Sequence, residues 1–137
     1  MIGPVIDCSV TAAWILSDER SVEADAALDR VTAVGGVAPW LWWAEMRNVC
    51  LVAERRGRMT DADTAAALTE LQALGFRLDH APDSATALRL ARTHDLTLYD
   101  ALYLELAIRE ARPLATLDRR LATAFKAEDP ADTRPKA

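Results

Sequence analysis

Short apolar runs recur along the chain, and longer stretches with apolar positions at helical spacing separate them. Residues 3–7, 37–38, 76–78 and 114–117 read as short buried strands, the first ending in Asp7 and the last in Leu117 just before Asp118. The stretches between them carry helix start and stop signals. Ser9 or Thr11 can cap a helix to about residue 16, and a second runs over about 19–34 and stops at Gly35-Gly36. A long helix is predicted from Pro39 or Trp40 to Arg56, closed by Gly57. Thr60 starts another, with Asp61 and Asp63 in its first turn where the dipole favours acids, and it ends near Gly75. Asp83 or Ser84 caps a helix to about His94. After a short extended piece over 96–98, Tyr99 or Asp100 begins a helix that stops at Pro113. A last helix starts at Asp118 and runs to about Lys126. Short apolar strands alternating with helices predict an α/β fold with a parallel sheet covered on both faces. One domain is expected over 1–126. The segment 127–137, rich in proline and charge, is expected to be a disordered tail.

Four acids break this pattern. Asp7 ends an apolar run, Glu45 interrupts Leu41-Trp42-Trp43-Ala44, Asp100 opens a run with one charge, and Asp118 follows Leu114-Ala115-Thr116-Leu117. On a helix, Glu45 shares a stripe with Leu41, Val49 and Val52, and Asp100 with Leu104, Ala107 and Ala111. Glu105 and Arg109 fall on the opposite side of their helix and read as an ordinary solvated i,i+4 pair. Asp7, Asp100 and Asp118 could each be a helix N-cap, but Glu45, mid-helix on an apolar stripe, has no capping role. A buried carboxylate must gain a proton or a cation. No Lys or Arg lies immediately beside Asp7 or Asp100, and carboxylates converging without basic neighbours suit a hard divalent ion. In open parallel sheets a site forms beyond the carboxyl ends of the strands, where Asp7 and Asp118 are placed.

Composition narrows the setting. The 137 residues fit a single domain with a core, half hydrophobic and a quarter charged. Cys8 and Cys50 are too few for a disulfide scaffold and read as buried, reduced thiols of a cytoplasmic protein. No leader and no membrane-spanning stretch is evident. The net charge of −5 argues against a broad basic surface for nucleic acid, but not against a metal-dependent nuclease. Trp40, Trp42 and Trp43 read as core or subunit interface. Arg119 and Arg120, next to Asp118, are the basic residues best placed to meet a phosphate.

Carboxylate oxygens suit Mg²⁺ or Mn²⁺, with waters completing the shell, and this points to phosphoester chemistry. Val5-Ile6-Asp7-Cys8-Ser9, Ala44-Glu45-Met46-Arg47-Asn48, Tyr99-Asp100-Ala101-Leu102-Tyr103-Leu104 and Thr116-Leu117-Asp118-Arg119-Arg120-Leu121 resemble, in order and spacing, the motifs of PIN domains of the VapC type. The resemblance covers about residues 2–125. It implies a three-layer α/β/α fold and a Mg²⁺- or Mn²⁺-dependent endoribonuclease, the toxin of a VapBC-type toxin–antitoxin pair. Asp7, Glu45, Asp100 and Asp118 match the family's metal-holding and catalytic acids, and Ser9 and Thr116 match its supporting hydroxyl residues. The resemblance also implies a VapB-type antitoxin, an RNA substrate and a homodimer. Cys8 stands where many relatives carry Ser or Thr, and Arg119 and Arg120 follow Asp118 in place of a further acid.

Two other readings compete. Another Mg²⁺-dependent phosphoesterase of the haloacid-dehalogenase type would want an Asp where Ser9 stands, and no Walker loop is present. A catalytically silent PIN-like interaction module would have little reason to keep four costly carboxylates.

Overall fold

Val5 and Ile6 point to opposite sides of one strand, and this alternation divides the core in two. Val5 joins a large cluster that includes Leu90, Ala101, Leu104, Leu106 and Leu121, while Ile6 joins a smaller one with Val10, Ala13, Ala24, Ala27 and Val31. The computed structural model describes residues 2–128. Its elements run β1 (Val5–Ile6), α1 (Cys8–Ile15), a 3-10 turn (Ser17–Glu19), α2 (Val22–Val34), β2 (Val37–Pro39), α3 (Leu41–Arg55), α4 (Asp61–Ala73), β3 (Arg77–Asp79), α5 (Ser84–His94), α6 (Leu98–Arg109), β4 (Leu114–Ala115) and α7 (Arg119–Glu128).

The sheet has the order β3-β2-β1-β4, and every pairing is parallel. Val5 pairs with Val37 on one side and Leu114 on the other. Parallel strands expose apolar side chains on both faces, and helices cover both, giving three α/β/α layers. From β1 the chain steps outward to β2 and β3, then returns to lay β4 on the other flank of β1. The order reverses between β1 and β4, and open parallel sheets bind ligands in the crevice expected beyond the carboxyl ends of strands at such a reversal. Among the described residues no helix is long and apolar enough to cross a membrane.

Several boundaries differ from the sequence reading, each for a local reason. The second helix begins at Val22, because Ser21 accepts a hydrogen bond from the Ala24 amide and caps it; 17–19 form a separate 3-10 turn. The extended piece expected at 96–98 is not a strand. Thr97 caps α6 by accepting from the Asp100 amide, so Leu98 is already helical. α7 starts one residue after Asp118 and continues through Glu128. The rest of the expected tail, 129–137, lies outside the described residues. Gly35, at φ 80°, ends α2 in a conformation that favours glycine, as the paired glycines predict.

The Glu105–Arg109 pair is a correction. Glu105 is 1% exposed and Asp79, at the end of β3, is 7% exposed. The Arg109 guanidinium bridges them, at 2.7 Å from Glu105 and 2.6 Å from Asp79. Glu105 also accepts from the Asp83 amide at 3.1 Å. The far side of α6 is therefore covered by the β3–α5 connection, which a single-helix projection does not register.

Candidate functional site

Asp7 follows β1 directly and is buried, at 6% exposure. It occupies the N-cap position of α1, yet its side chain makes no capping bond. The carboxylate turns instead to two hydroxyls. Ser9 Oγ donates to Oδ2 at 2.8 Å and Thr116 Oγ1 donates to the same atom at 2.7 Å. Oδ1 is left with no side-chain donor among the described residues. Each hydroxyl is oriented by an amide of the β4–α7 connection: Leu117 donates to Ser9 at 2.9 Å and Asp118 donates to Thr116 at 3.0 Å. Ser9 and Thr116 thus fasten the ends of two adjacent strands around one carboxylate.

Asp118 caps α7, its Oδ1 accepting from the amides of Arg120 at 2.9 Å and Leu121 at 3.3 Å. That is the plain structural role its position suggested, and it accounts for Oδ1 only. Asp100 sits in the first turn of α6 without capping it, since Thr97 does so. Glu45 lies in the second turn of α3, half-buried. Tyr103, fully buried one turn along α6 from Asp100, donates its hydroxyl to Glu45 Oε1 at 2.6 Å. Sequence reasoning gave Tyr103 no role. The available signal was its i,i+3 spacing from Asp100, which puts both on one side of α6.

The electrostatics tie the four acids together. Burial pushes the Asp7 carboxyl above its usual range; Thr116 and Ser9 pull it back, and Asp118 adds to the rise. Burial also raises Glu45, against the Tyr103 hydrogen bond, with Asp7 and Asp100 contributing. Asp100 is raised by burial, then by Asp7 and Asp118, while Thr97 and Arg120 oppose. Asp7 is the common neighbour. Burial, then Glu45 and Asp7, push the Cys8 thiol up as well. No Lys or Arg forms a salt bridge with any of the four acids among the described residues.

A donor set made only of carboxylate oxygens, desolvated and mutually repelling, fits a hard divalent cation in kind. Among the described residues no three Asp, Glu, His or Cys side chains close on one point as a ready ligand cluster.

The support around the acids is buried. Trp42 donates its indole N–H to Thr11 Oγ1 at 3.1 Å, and the Thr11 hydroxyl lies 2.8 Å from the Met46 sulfur. This links α1 to α3 behind Cys8. The tryptophans separate: Trp42 is buried, whereas Trp40 and Trp43 are about half exposed, with Arg47 stacked 3.8 Å over Trp43. The two histidines stay outside the acid cluster. His94 pairs with Glu128 at 2.9 Å, and His80 follows β3.

A family model described as "PIN domain" matches residues 5–126. Among curated proteins, Ribonuclease VapC3 of Pyrobaculum aerophilum is 32% identical over 126 residues, covering 90% of this chain and 95% of that protein. The matched span contains the strand-end and helix positions of all four acids, and on these two matches the chain belongs to the PIN-domain family, in its VapC branch.

Proposed function

We propose that the chain is a Mg²⁺- or Mn²⁺-dependent endoribonuclease, the toxin of a VapBC-type pair, acting in the cytoplasm under the control of a VapB-type antitoxin. The observation that carries the reading is Asp7, a buried carboxylate with a raised pKa, no cationic partner among the described residues, and an oxygen without a side-chain donor. Membership of the VapC branch supports RNA as the substrate and the antitoxin as the partner.

Asp7, Asp100 and Asp118 would hold the cation, with Glu45 contributing to its shell or orienting water. When bound, the ion would supply an activated water and offset charge on the scissile phosphate. The chain's own residues do the rest. Ser9 and Thr116 fix the rotamer of Asp7 through Oδ2 and leave Oδ1 available. Tyr103 holds Glu45 by one oxygen and, by donating to it, favours its ionised form. Exposed Trp40, Trp43 and Leu51 offer apolar surface for a homodimer or for the antitoxin.

The test is cleavage of a structured and an unstructured RNA by the purified, partner-free chain in Mg²⁺, Mn²⁺ and EDTA. Cleavage should require a divalent ion. Asp7→Asn and Asp100→Asn should each lower it by a hundredfold or more, roughly the scale of losing a key electrostatic group. Equal metal-dependent cutting by wild type and both variants would remove these acids from the mechanism.

A further inference from the structure

A polyanionic substrate approaching a cluster of acids needs positive charge close by, and several of the arginines are engaged elsewhere. Arg20, Arg58, Arg77 and Arg112 pair with carboxylates away from the acid cluster, and Arg109 is locked between Asp79 and Glu105. Arg47 lies over Trp43. Beside Asp118 the situation differs. Arg119 is exposed and has no carboxylate partner among the described residues. Arg120 is bonded to Asp95 at 3.0 Å, but the two side chains are 67% and 98% exposed, so the bridge is weak and exchangeable. Arg120 also donates to the Asp95 carbonyl at 2.8 Å, in the turn that leads into α6.

These two arginines, with His94, Thr123 and Ala124, line an open cleft of about 280 Å³ between the C-terminal end of α5 and the N-terminal end of α7. Among the described residues, the carboxylates that could fill it with negative charge are Asp95, on the weak bridge, and Glu128, already taken by Arg89 and His94. Guanidinium groups suit phosphate oxygens, and Thr123 adds a hydroxyl donor. The cleft adjoins Asp118 and Asp100 through the chain itself, since Arg119 follows Asp118 and Arg120 reaches the α5–α6 turn.

We infer that this cleft binds a backbone phosphate of single-stranded RNA adjacent to the phosphate held at the acids, with Arg119 and Arg120 as its ligands. The inference rests on the ribonuclease reading and adds to it where the strand runs: from the acids across the N-terminus of α7 toward α5. It also explains how a chain of net charge −5 admits RNA without a broad basic face.

The probe is a fluorescent single-stranded oligoribonucleotide of mixed sequence, bound in EDTA so that it is not cut. The full chain is compared with Arg119→Ala/Arg120→Ala and with Arg55→Ala/Arg56→Ala, which removes the same charge from the far end of α3. The first variant should bind roughly tenfold more weakly, the scale of one charge-assisted hydrogen bond. The slope of log K against log salt should fall by about 0.7 for each phosphate that the variant no longer neutralises. The α3 variant should keep the wild-type slope. Equal slopes and affinities for wild type and Arg119→Ala/Arg120→Ala overturn the inference, as does an equal loss in the α3 variant. Metal-dependent cleavage by Asp7→Asn, measured separately, judges the parent reading. Retained cleavage there, with a reduced slope in the arginine variant, would sink the acid assignment and leave the phosphate cleft standing.

Discussion

A carboxyl whose pKa rises on folding carries a sign that can be checked. Asp7, Glu45 and Asp100 are all raised, chiefly by burial. Each binds its proton more tightly when folded than when unfolded. Their favourable contribution is therefore complete below the unfolded carboxyl value, near pH 4, and is lost as pH rises through the raised folded values. Asp7→Asn removes the charge but keeps an oxygen that can accept from Ser9 and Thr116. In EDTA at pH 7 the variant should be more stable than wild type by on the order of 1 kcal/mol, with the gap closing toward pH 4. Urea unfolding at the two pH values measures this, and a gap independent of pH would mean that Asp7 is not destabilised by its burial. At this scale the sequence was informative about Asp7 and Glu45, because an acid on an apolar run or stripe is visible in the residue order. The Tyr103 hydroxyl bonded to Glu45 was not, since it joins positions 58 apart in the chain and depends on how α3 meets α6.

Among elements, the buried Asp79–Arg109–Glu105 cluster fastens α6, which carries Asp100, to β3 and the β3–α5 connection. Arg109→Met would leave two desolvated carboxylates unpaired and should cost about 3–5 kcal/mol by chemical denaturation. Asp79 is held below its usual range, mainly by the Arg109 hydrogen bond. The stability it contributes is present above the unfolded carboxyl value and disappears as pH falls through the lower folded one. The penalty of the variant should accordingly shrink in acid, and a constant penalty would argue that Arg109 acts through packing alone. Helix spacing shows only which side of α6 a residue occupies. It does not show that a connection 22 to 30 residues away covers that side, and this is why Glu105 was misread as solvated. Strands were legible as apolar runs, while their lengths were not. β1 and β4 are two residues each because their last pairing ends where Asp7 and Thr116 begin to serve the site. Caps moved other boundaries: Ser21 fixes a helix start that the sequence reading places earlier, and Thr97 one that it places later.

For the whole molecule, the strand order brings distant parts of the sequence to one crevice, and any ligand held there should stabilise the entire domain. Mg²⁺ at a hundredfold excess over its Kd should add about 2.7 kcal/mol, a rise in Tm of roughly ten degrees for a domain of this size. Asp7→Asn should lose most of that rise, and NaCl at matched ionic strength should not reproduce it. Thermal scans of both proteins decide the point; equal shifts would assign the effect to general screening. The α/β class and the helix succession could be read from alternating runs, but the order β3-β2-β1-β4 could not. Spacing along a chain does not say on which flank of β1 the last strand lands, and that choice makes the crevice.

The hydroxyl staple between Ser9 and Thr116 joins residues 107 positions apart, and Thr116 bonds Asp7 across 109. A ribosome makes Asp7 109 residues before Thr116, with Asp118 following soon after. In order of synthesis, β4 is the last of the four described strands to emerge, and it brings one of the two hydroxyls that hold Asp7 together with the fourth acid. A nascent chain that has extruded everything through α6 has its core helices but only half of the crevice. The parts of this site are thus written far apart in the message that encodes it.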